Sequence, residues 1–375
     1  MTPPGRIAIV EDDPDGHRLA LVEILIRHVL EKTGQKPWLV TSQRVLDSKP
    51  YGIYLRPLEG SFELRVYASR RSGSLFVRWR KFMSALSGLR GLDVEQVLVP
   101  TADRLDSAVG LGGWLGFRLW GFKARFGILR LDAAYPKLPF AKKLAAEIRF
   151  GLQRWGPFTA FYHDDYAVEE MRRARGIHLR AVPDPMLTLD LKPTPQPRRG
   201  PGEKRIFGVT GVLDRRKGVD LLVEAFAKAD LPREACLLLA GEAVHGDLVR
   251  RIEQLRALLG GDRILFQNEY LSAEDYKAQL ARIDVVCLPY RGHVGPSNVF
   301  QQAAFLNKVV IASDYGCLGW AAGKYAKAVL FKDGSVESLV SVLRSTWENW
   351  DALLAVEAPY RPSEPAEYAR VFCGF

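Results

Sequence analysis

Short apolar runs that alternate with helical segments constrain the fold of this sequence more than any other feature. The first half has five strand-like runs, at 6–11, 36–42, 94–100, 126–131 and 159–163. A turn-rich segment and a helical pattern over 19–30 follow the first of them. Strands that alternate with helices form parallel sheets covered by helices on both faces. The first half is therefore predicted to be a doubly wound α/β domain.

A second alternation begins after residues 192–203, which are rich in proline, glycine and charge and are typical of a linker. Its strand-like runs lie at 204–210, 235–240, 263–267, 284–289 and 308–313. Its helical patterns lie at 219–228, 247–259, 273–281, about 298–306 and, as one long helix, 335–354. The prediction is two Rossmann-like doubly wound domains that face a cleft, with ligands at the carboxyl ends of the strands.

Four segments follow from this pattern. We expect an N-terminal domain over 1–190, a linker over 191–203, a C-terminal domain over 204–356, and a last segment over 357–375 that packs back on the first domain.

Composition and charge narrow the class of protein. Of the 375 residues 47% are hydrophobic, which excludes a mainly disordered chain, and the four cysteines form no CxxC pair that would indicate a zinc site. No apolar run reaches the roughly 20 residues that cross a bilayer, so we expect a cytoplasmic protein. Residues 1–190 hold 29 Lys and Arg against 21 Asp and Glu, and this basic half would attract anions.

The loop over 211–218 follows the first strand of the second half and carries three cations, Arg215, Arg216 and Lys217. Cations at the carboxyl end of a strand can neutralise a diphosphate. A solvated turn is the alternative, and it explains the two arginines almost as well.

A second loop, 292–298, precedes a helical run. Pro296 near the first turn and the small residues around it would leave backbone N–H groups free to bind an anion. Ser297 or Asn298 also fits a helix cap, and both roles are compatible. Gly16 in the first loop of the chain permits close approach to a ligand, and His17 beside it either contacts that ligand or is an ordinary surface residue.

Other sequence motifs are missing. The chain has no GxxxxGK[ST], no HExxH and no GxSxG, and the glycine-rich stretch 110–116 does not fit GxGxxG. The absence of these motifs argues against ATP hydrolysis, zinc proteolysis and serine hydrolysis.

Four stretches in their order and spacing resemble the nucleotide-sugar-binding domain of GT-B glycosyltransferases, in particular the retaining family 4, the glycosyl transferases group 1. They are GVLDRRKGVDLLVEAF (211–226), LLLAGE (237–242), ILFQNEYLSAEDYKAQLARIDVVCLPY (264–290) and QQAAFLNKVVIASDYG (301–316). VPDP at 182–185 resembles the exit of that family's first domain. The resemblance implies an enzyme of glycan biosynthesis that transfers a sugar from a nucleoside diphosphate donor, with retention at the anomeric carbon and with neither metal nor cofactor.

The resemblance also assigns residues. Lys217 matches the family's diphosphate-binding lysine, whereas the usual arginine falls on Val212, so Arg216 or Arg215 is expected to replace it. The family's pair of glutamates, with seven residues between them, falls on Val294 and Gln302. Gln302 can form a hydrogen bond to a hydroxyl but supplies no charge.

The remaining candidates fall into two groups. Donor contacts are expected from Gly16, His17, Gly211, Arg215, Gly241, Asn268, Tyr270, Gly295, Ser297, Asn298 and Val299. Asp103 as a catalytic residue and Asp132 as an acceptor contact stand at strand ends, where a loop or cap role explains them equally well.

The acceptor is left open as a glycan, a lipid or a small molecule. Residues 74–83 form a basic aromatic helical pattern that either rests on an anionic membrane, at its inner face, or packs on the sheet. No nucleic-acid-reading motif is present. The missing carboxylates also motivate an alternative function, a protein that kept the fold but binds a nucleotide sugar or a membrane surface without turnover.

Overall fold

The computed structural model describes residues 6–14, 18–67, 83, 89, 92–103, 123–135, 140–155, 158–187, 191–192, 200 and 202–375. The chain divides into two compact units. Unit 1 comprises Met1–Leu187 together with Ser363–Phe375, and unit 2 comprises Thr188–Pro362. Each unit is built around one six-stranded parallel sheet.

The strands of unit 1 are β1 (Arg6–Val10), β2 (Trp38–Ser42), β3 (Glu63–Tyr67), β4 (Val94–Val99), β5 (Lys123–Ile128) and β6 (Thr159–Tyr162). Their order in the sheet is β3-β2-β1-β4-β5-β6, and every neighbouring pair is parallel. The chain reverses direction across the sheet between β1 and β4, so the carboxyl ends of these two strands form the switch point of unit 1.

The helices of unit 1 before the linker are α1 (Arg18–Thr33), α2 (Gln43–Leu46), α3 (Phe140–Trp155) and α4 (Asp165–Arg175). Short turns of π and 3₁₀ helix cover Tyr51–Leu55, Arg56–Leu58 and Asp132–Ala134. Helix α4 begins where the Asp164 carboxylate accepts a hydrogen bond from the N–H of Ala167, at 3.0 Å, and ends at Gly176 with φ +63°. Both ends follow ordinary capping chemistry.

The strands of unit 2 are β7 (Arg205–Thr210), β8 (Ala235–Ala240), β9 (Ile264–Gln267), β10 (Val285–Leu288), β11 (Val309–Ser313) and β12 (Ala328–Phe331). Their order is β12-β11-β10-β7-β8-β9. Strands β8, β10 and β11 are buried along their whole length, which explains their continuous apolar sequences. The switch point of this unit lies between β7 and β10.

The helices of unit 2 are α5 (Val219–Lys228), α6 (Gly246–Leu259), α7 (Ala273–Arg282), α8 (Asn298–Phe305), α9 (Gly316–Ala322), α10 (Val336–Glu348) and α11 (Trp350–Ala355). The prediction of one long helix over 335–354 is wrong, because α10 ends at Glu348 and a new helix begins at Trp350. Asn349 lies between them and donates a side-chain hydrogen bond to the Ser345 carbonyl at 2.8 Å. Both segments have a helical sequence pattern, so the sequence alone does not reveal the break between them.

The last helix, α12 (Pro365–Cys373), returns to unit 1 and packs against α1. Tyr368 and Phe372 are fully buried there, in the core that also contains Ile9, Leu25 and Phe161. The chain terminus is held beside α1, where the ring Nε2 of His28 lies 2.9 Å from the carbonyl oxygen of Phe375. None of the helices in the described part of the chain has the length and apolar character required to cross a membrane.

Candidate functional site

Two loops meet at the switch point of unit 2. The first site loop (211–218) leaves β7, and the second site loop (289–297) leaves β10. The N–H of Arg291 donates to the carbonyl of Arg216 at 2.9 Å and so joins the loops through their backbones. Gly218 has φ +66°, and a Cβ at this position would lie 1.8 Å from the carbonyl oxygen of Pro289. Only glycine allows this approach, so the sequence itself brings the two loops together.

Lys217 lies at the end of the first site loop, where it is half-buried. Its backbone N–H donates to the Asp214 carboxylate at 2.6 Å. A Cβ at Gly211 would lie 3.4 Å from Lys217 Nζ and 3.7 Å from Cε2 of Tyr276, so the ammonium and the aromatic ring both border this glycine. Burial lowers the pKa of Lys217 to about 8, with the nearby Asp214 opposing the shift and Arg216 adding to it. The Lys217 amine is therefore mostly protonated at neutral pH, and it loses its charge as the pH rises through about 8.

The two arginines of the first site loop point to different partners. Arg215 forms an ion pair with Asp247 on α6. Arg216 Nη1 lies 3.1 Å from Nδ1 of His293 in the second site loop, and its Nη2 lies 3.6 Å from Asp214. Of these two arginines, Arg216 is the one whose side chain joins the two loops.

The second site loop leads directly into α8. The hydroxyl of Ser297 accepts a hydrogen bond from the N–H of Phe300 at 3.3 Å, which caps this helix. The buried Tyr290 bonds to Ser297, and burial raises the pKa of the tyrosine against that hydrogen bond. Gly295 has φ +96°, and the following residues Asn298 and Val299 are half-buried at the start of the helix. The remaining amides at this helix start are an electropositive feature of the site.

Gln302 lies on α8 and is 4% exposed. Its side-chain oxygen accepts a hydrogen bond from the hydroxyl of Tyr276 at 2.7 Å. Because the ring of Tyr276 borders Gly211 together with Lys217, these contacts bring α7, α8 and the first site loop to one point. Val294, which stands where the resembled family has its other glutamate, is buried.

Three predicted donor contacts lie beyond β8 and β9. Gly241 has φ +141°, and a Cβ there would lie 1.9 Å from the carbonyl oxygen of Gly211, so it packs directly on the first site loop. The side-chain oxygen of Asn268 accepts from the N–H of Ala243 at 2.9 Å. Tyr270 is 51% exposed. Gly241 therefore adjoins Gly211, the residue that Lys217 borders, whereas Asn268 fixes a neighbouring turn.

The switch point of unit 1 holds a buried carboxyl group. Glu11 directly follows β1, is 3% exposed, and accepts hydrogen bonds from the N–H groups of Asp12 and Asp13 at 3.0 and 2.9 Å and from the Thr101 hydroxyl. Arg18 donates to Thr101 Oγ1 at 3.1 Å. Burial raises the pKa of Glu11 from 4.5 to about 7, although Arg18 and the Thr101 hydrogen bond oppose the shift.

The other candidates of unit 1 have identifiable neighbours or lie outside the described residues. Asp103 accepts a hydrogen bond from the N–H of Arg130 at 2.9 Å, and Asp132 forms an ion pair with Arg149 at 2.9 Å. Gly16, His17 and the helical pattern over 74–83, apart from Met83, fall outside the described residues.

Four side chains of these sites were not predicted from the sequence: Tyr276, Tyr290, His293 and Glu11. Glu11 had a usable signal, because a polar residue directly after a buried strand lies at the edge where α/β ligands bind. The contacts of Tyr276 with Gln302 and of His293 with Arg216 join residues 26 and 77 positions apart and have no local signal.

Residues 204–349 match the family model of the glycosyl transferases group 1. This match covers β7 to α10 and includes both site loops. The resemblance stated for the C-terminal half is therefore confirmed, and this part of the chain is a glycosyltransferase domain. No curated protein matches the sequence.

Solved structures match nearly the whole chain at low identity. The Anabaena protein HepE in complex with UDP has 13% identity over 98% of this chain and 95% of its own, with a TM-score of 0.67. Sucrose-phosphate synthase from Thermosynechococcus elongatus has 17% identity, with coverages of 98% and 94% and a TM-score of 0.65. A UDP-N-acetylglucosamine 2-epimerase from Listeria monocytogenes has 13% identity, with coverages of 98% and 94% and a TM-score of 0.60.

These matches confirm the predicted fold, two Rossmann-like α/β units of the GT-B type. At such identities they establish the fold alone. The same architecture is similar to a synthase and to an epimerase, so the reaction has to be argued from the residues of the site.

Proposed function

We propose that this protein transfers a glycosyl group from a nucleoside diphosphate sugar to an acceptor hydroxyl, with retention at the anomeric carbon. The observation that carries the proposal is the position of Lys217. Its ammonium borders Gly211 at the unit 2 switch point, within the domain that matches the glycosyl transferases group 1. Sites for nucleotides in open α/β sheets lie at this place.

The donor diphosphate would be bound by three kinds of group. Lys217 supplies a nearby positive charge. The start of α8, beside Ser297, supplies backbone N–H groups aligned with the helix dipole. Arg216, held by His293, supplies a second cation from the same loop in place of the arginine that the family has at Val212.

In the reaction the bond between the anomeric carbon and the diphosphate oxygen breaks, and a bond to the acceptor oxygen forms. Negative charge builds on the departing diphosphate, whose oxygen takes up the proton that the acceptor hydroxyl loses. Lys217 and the helix start would stabilise that charge in a preorganised way, which lowers the barrier to transfer. Gln302, positioned by Tyr276, is a candidate partner for a hydroxyl of the donor.

A second function is favoured by one observation. Both expected glutamates are absent, and Val294, at one of these two positions, is buried and apolar. A protein of this kind would bind the nucleotide sugar through Lys217 and release it unchanged. Binding would then be intact without turnover.

Turnover separates the two functions. Purified protein is incubated with a panel of nucleoside diphosphate sugars, alone and with sugar, lipid and small-molecule acceptors, and released nucleoside diphosphate is measured. We expect release from one donor, and loss of about 100-fold or more in rate in Lys217→Ala. Proton NMR of the product would show retained anomeric configuration. Binding of a donor without release would support the second function, and an inverted product would contradict the proposed stereochemistry.

A further inference from the structure

Helix α3 carries an apolar stripe on its exposed side. Phe140 is 83% exposed, Leu144 54% and Ile148 57%. They are spaced four positions apart, so they form one continuous stripe along the helix surface. Single exposed apolar residues are common, but three large ones in register mark a contact surface.

The stripe is not needed to attach α3 to unit 1. The opposite side of the helix buries Ala146 and Phe150 together with Gln153. Arg149 on the attached side pairs with Asp132 at 2.9 Å. The helix is therefore anchored by one face, and its second apolar face is left to a partner.

The charges around the stripe select the kind of partner. Lys143 and Arg154 are exposed and flank the stripe, whereas Lys142, four positions before Ala146, is on the attached side of the helix. Its only acidic residue is Glu147, and both of its carboxylate oxygens accept hydrogen bonds from Arg175, at 2.6 and 2.7 Å. These hydrogen bonds hold the pKa of Glu147 below its ordinary value, so its charge is matched by Arg175. The surface of α3 is thus apolar and cationic.

We propose that α3 docks unit 1 on an anionic lipid bilayer, with Phe140, Leu144 and Ile148 inserted among the lipids and Lys143 and Arg154 at the headgroups. A helix in the membrane interface needs this combination, an apolar stripe bordered by cations. The anionic surface attracts the cations, and burial of the stripe holds the helix. A protein surface would not require the cations, which is why the charge pattern favours lipid over a second copy of the chain.

The test uses the full chain and vesicles of phosphatidylcholine with 30% phosphatidylglycerol, set against pure phosphatidylcholine. We expect sedimentation with the anionic vesicles alone and release at high salt. Phe140→Ser/Leu144→Ser/Ile148→Ser should lower the partition coefficient at least about 10-fold. Lys143→Gln/Arg154→Gln should lower it about fivefold for each cation. Leu258→Ser, at a residue 76% exposed on α6 of unit 2, is the matched control and should bind as the wild type.

Circular dichroism and the thermal shift given by the nucleoside diphosphate establish that the variants are folded and keep the donor site. Absence of wild-type binding to anionic vesicles, or equal binding by the triple serine variant, overturns the proposal. A wild-type dimer that the triple serine variant converts to a monomer, measured by light scattering, would assign the stripe to a second copy and also overturns it. Neither outcome bears on the proposed transfer reaction.

Discussion

The side chains of Lys217 and Glu11 both titrate near neutral pH, because burial shifts the pKa of each. Burial favours the neutral form of both, so it lowers the pKa of the lysine to about 8 and raises that of the glutamate to about 7. One consequence concerns ligand binding and the other concerns stability.

The affinity for the nucleoside diphosphate should fall as pH rises through about 8. Lys217 loses its charge over this range, and the neutral amine no longer attracts the phosphates. With a pKa near 8, the charged fraction falls about eightfold to tenfold between pH 7 and 9. Titration calorimetry at both pH values should show a similar loss for the wild type and a flatter profile for Lys217→Arg, whose guanidinium stays charged. If the affinity of the wild type and that of Lys217→Arg fall equally between pH 7 and 9, the charge of Lys217 does not bind the phosphates.

Glu11 should make the protein less stable as pH rises from about 4.5 to 7. Its pKa is raised on folding, so the folded state binds a proton more tightly than the unfolded state, and the stabilisation is present at low pH and lost through pH 7. The shift corresponds to about 3 kcal/mol in the free energy of unfolding.

Glu11→Gln should remove most of this pH dependence, because the amide can keep the hydrogen bonds of Thr101 and of the two backbone N–H groups without a charge. Urea denaturation at pH 5 and pH 8 measures the difference. If the wild type and the variant lose equal stability between these pH values, Glu11 does not titrate as its burial implies.

The elements that define the unit 2 site are a pair of loops and the start of α8. The glycine–carbonyl contact between Gly218 and Pro289 fixes the loops, and Ser297 caps the helix. Helix α7 has an equivalent cap, in which the hydroxyl of Ser272 accepts from the N–H of Asp275 at 3.1 Å. The two caps are chemically alike but lie in different places, which makes them a matched pair for experiment.

Ser297→Ala and Ser272→Ala should each lower the free energy of unfolding by about 1 kcal/mol, the usual cost of losing a serine cap. Only Ser297→Ala should also weaken binding of the nucleoside diphosphate, since its helix start faces the proposed phosphate site. Denaturation and calorimetry on both variants check the two effects separately. An equal loss of affinity in Ser272→Ala would indicate a general effect on folding.

For the whole molecule, the C-terminal helix makes unit 1 discontinuous in sequence. Residues 363–375 complete a core formed mainly by residues before 188. Tyr368 and Phe372 are fully buried in that core, and Arg125 donates to the carbonyl of Phe372 at 3.1 Å. Unit 1 therefore depends on the last residues of the chain.

Phe372→Ala should destabilise unit 1 by about 3–5 kcal/mol through the cavity it creates. Unit 2 contains none of that core, so Phe372→Ala should leave nucleotide binding by unit 2 unchanged. Differential scanning calorimetry with and without nucleotide distinguishes the units, because ligand raises only the transition of unit 2. A shift of the ligand-sensitive transition by Phe372→Ala would contradict the division.

The sequence predicted the buried parallel strands well, because strands covered on both faces have continuous apolar sequences. It missed β3, whose residues are mostly exposed at the sheet edge, and it displaced β5 by three residues, to 126–131 instead of 123–128. Helix α9 was also missed, since the sequence GCLGWAA has no clear helical period and forms a helix through tertiary packing.

The candidate site could be predicted in part. Lys217 and Gly211 lie in a cationic loop after a strand, and Ser297 lies at a helix start. Both patterns can be recognised in the sequence. The pairing of Arg216 with His293 and of Tyr276 with Gln302 depends on how β7, β9 and β10 are ordered in the sheet. Such contacts follow from topology, so no short stretch of sequence contains them.

The proposed function requires that the protein binds a nucleoside diphosphate through Lys217, and a thermal-shift assay measures this binding. The full chain is heated with UDP, GDP, ADP or TDP, alongside Lys217→Ala and the control Lys228→Ala, whose lysine pairs with Glu224 on the surface of the same unit. We expect one nucleotide to raise the melting temperature by about 5 °C at 100-fold excess over its Kd, in the wild type and in Lys228→Ala but not in Lys217→Ala. No shift with any nucleotide, or a shift that survives in Lys217→Ala, would contradict this role of Lys217.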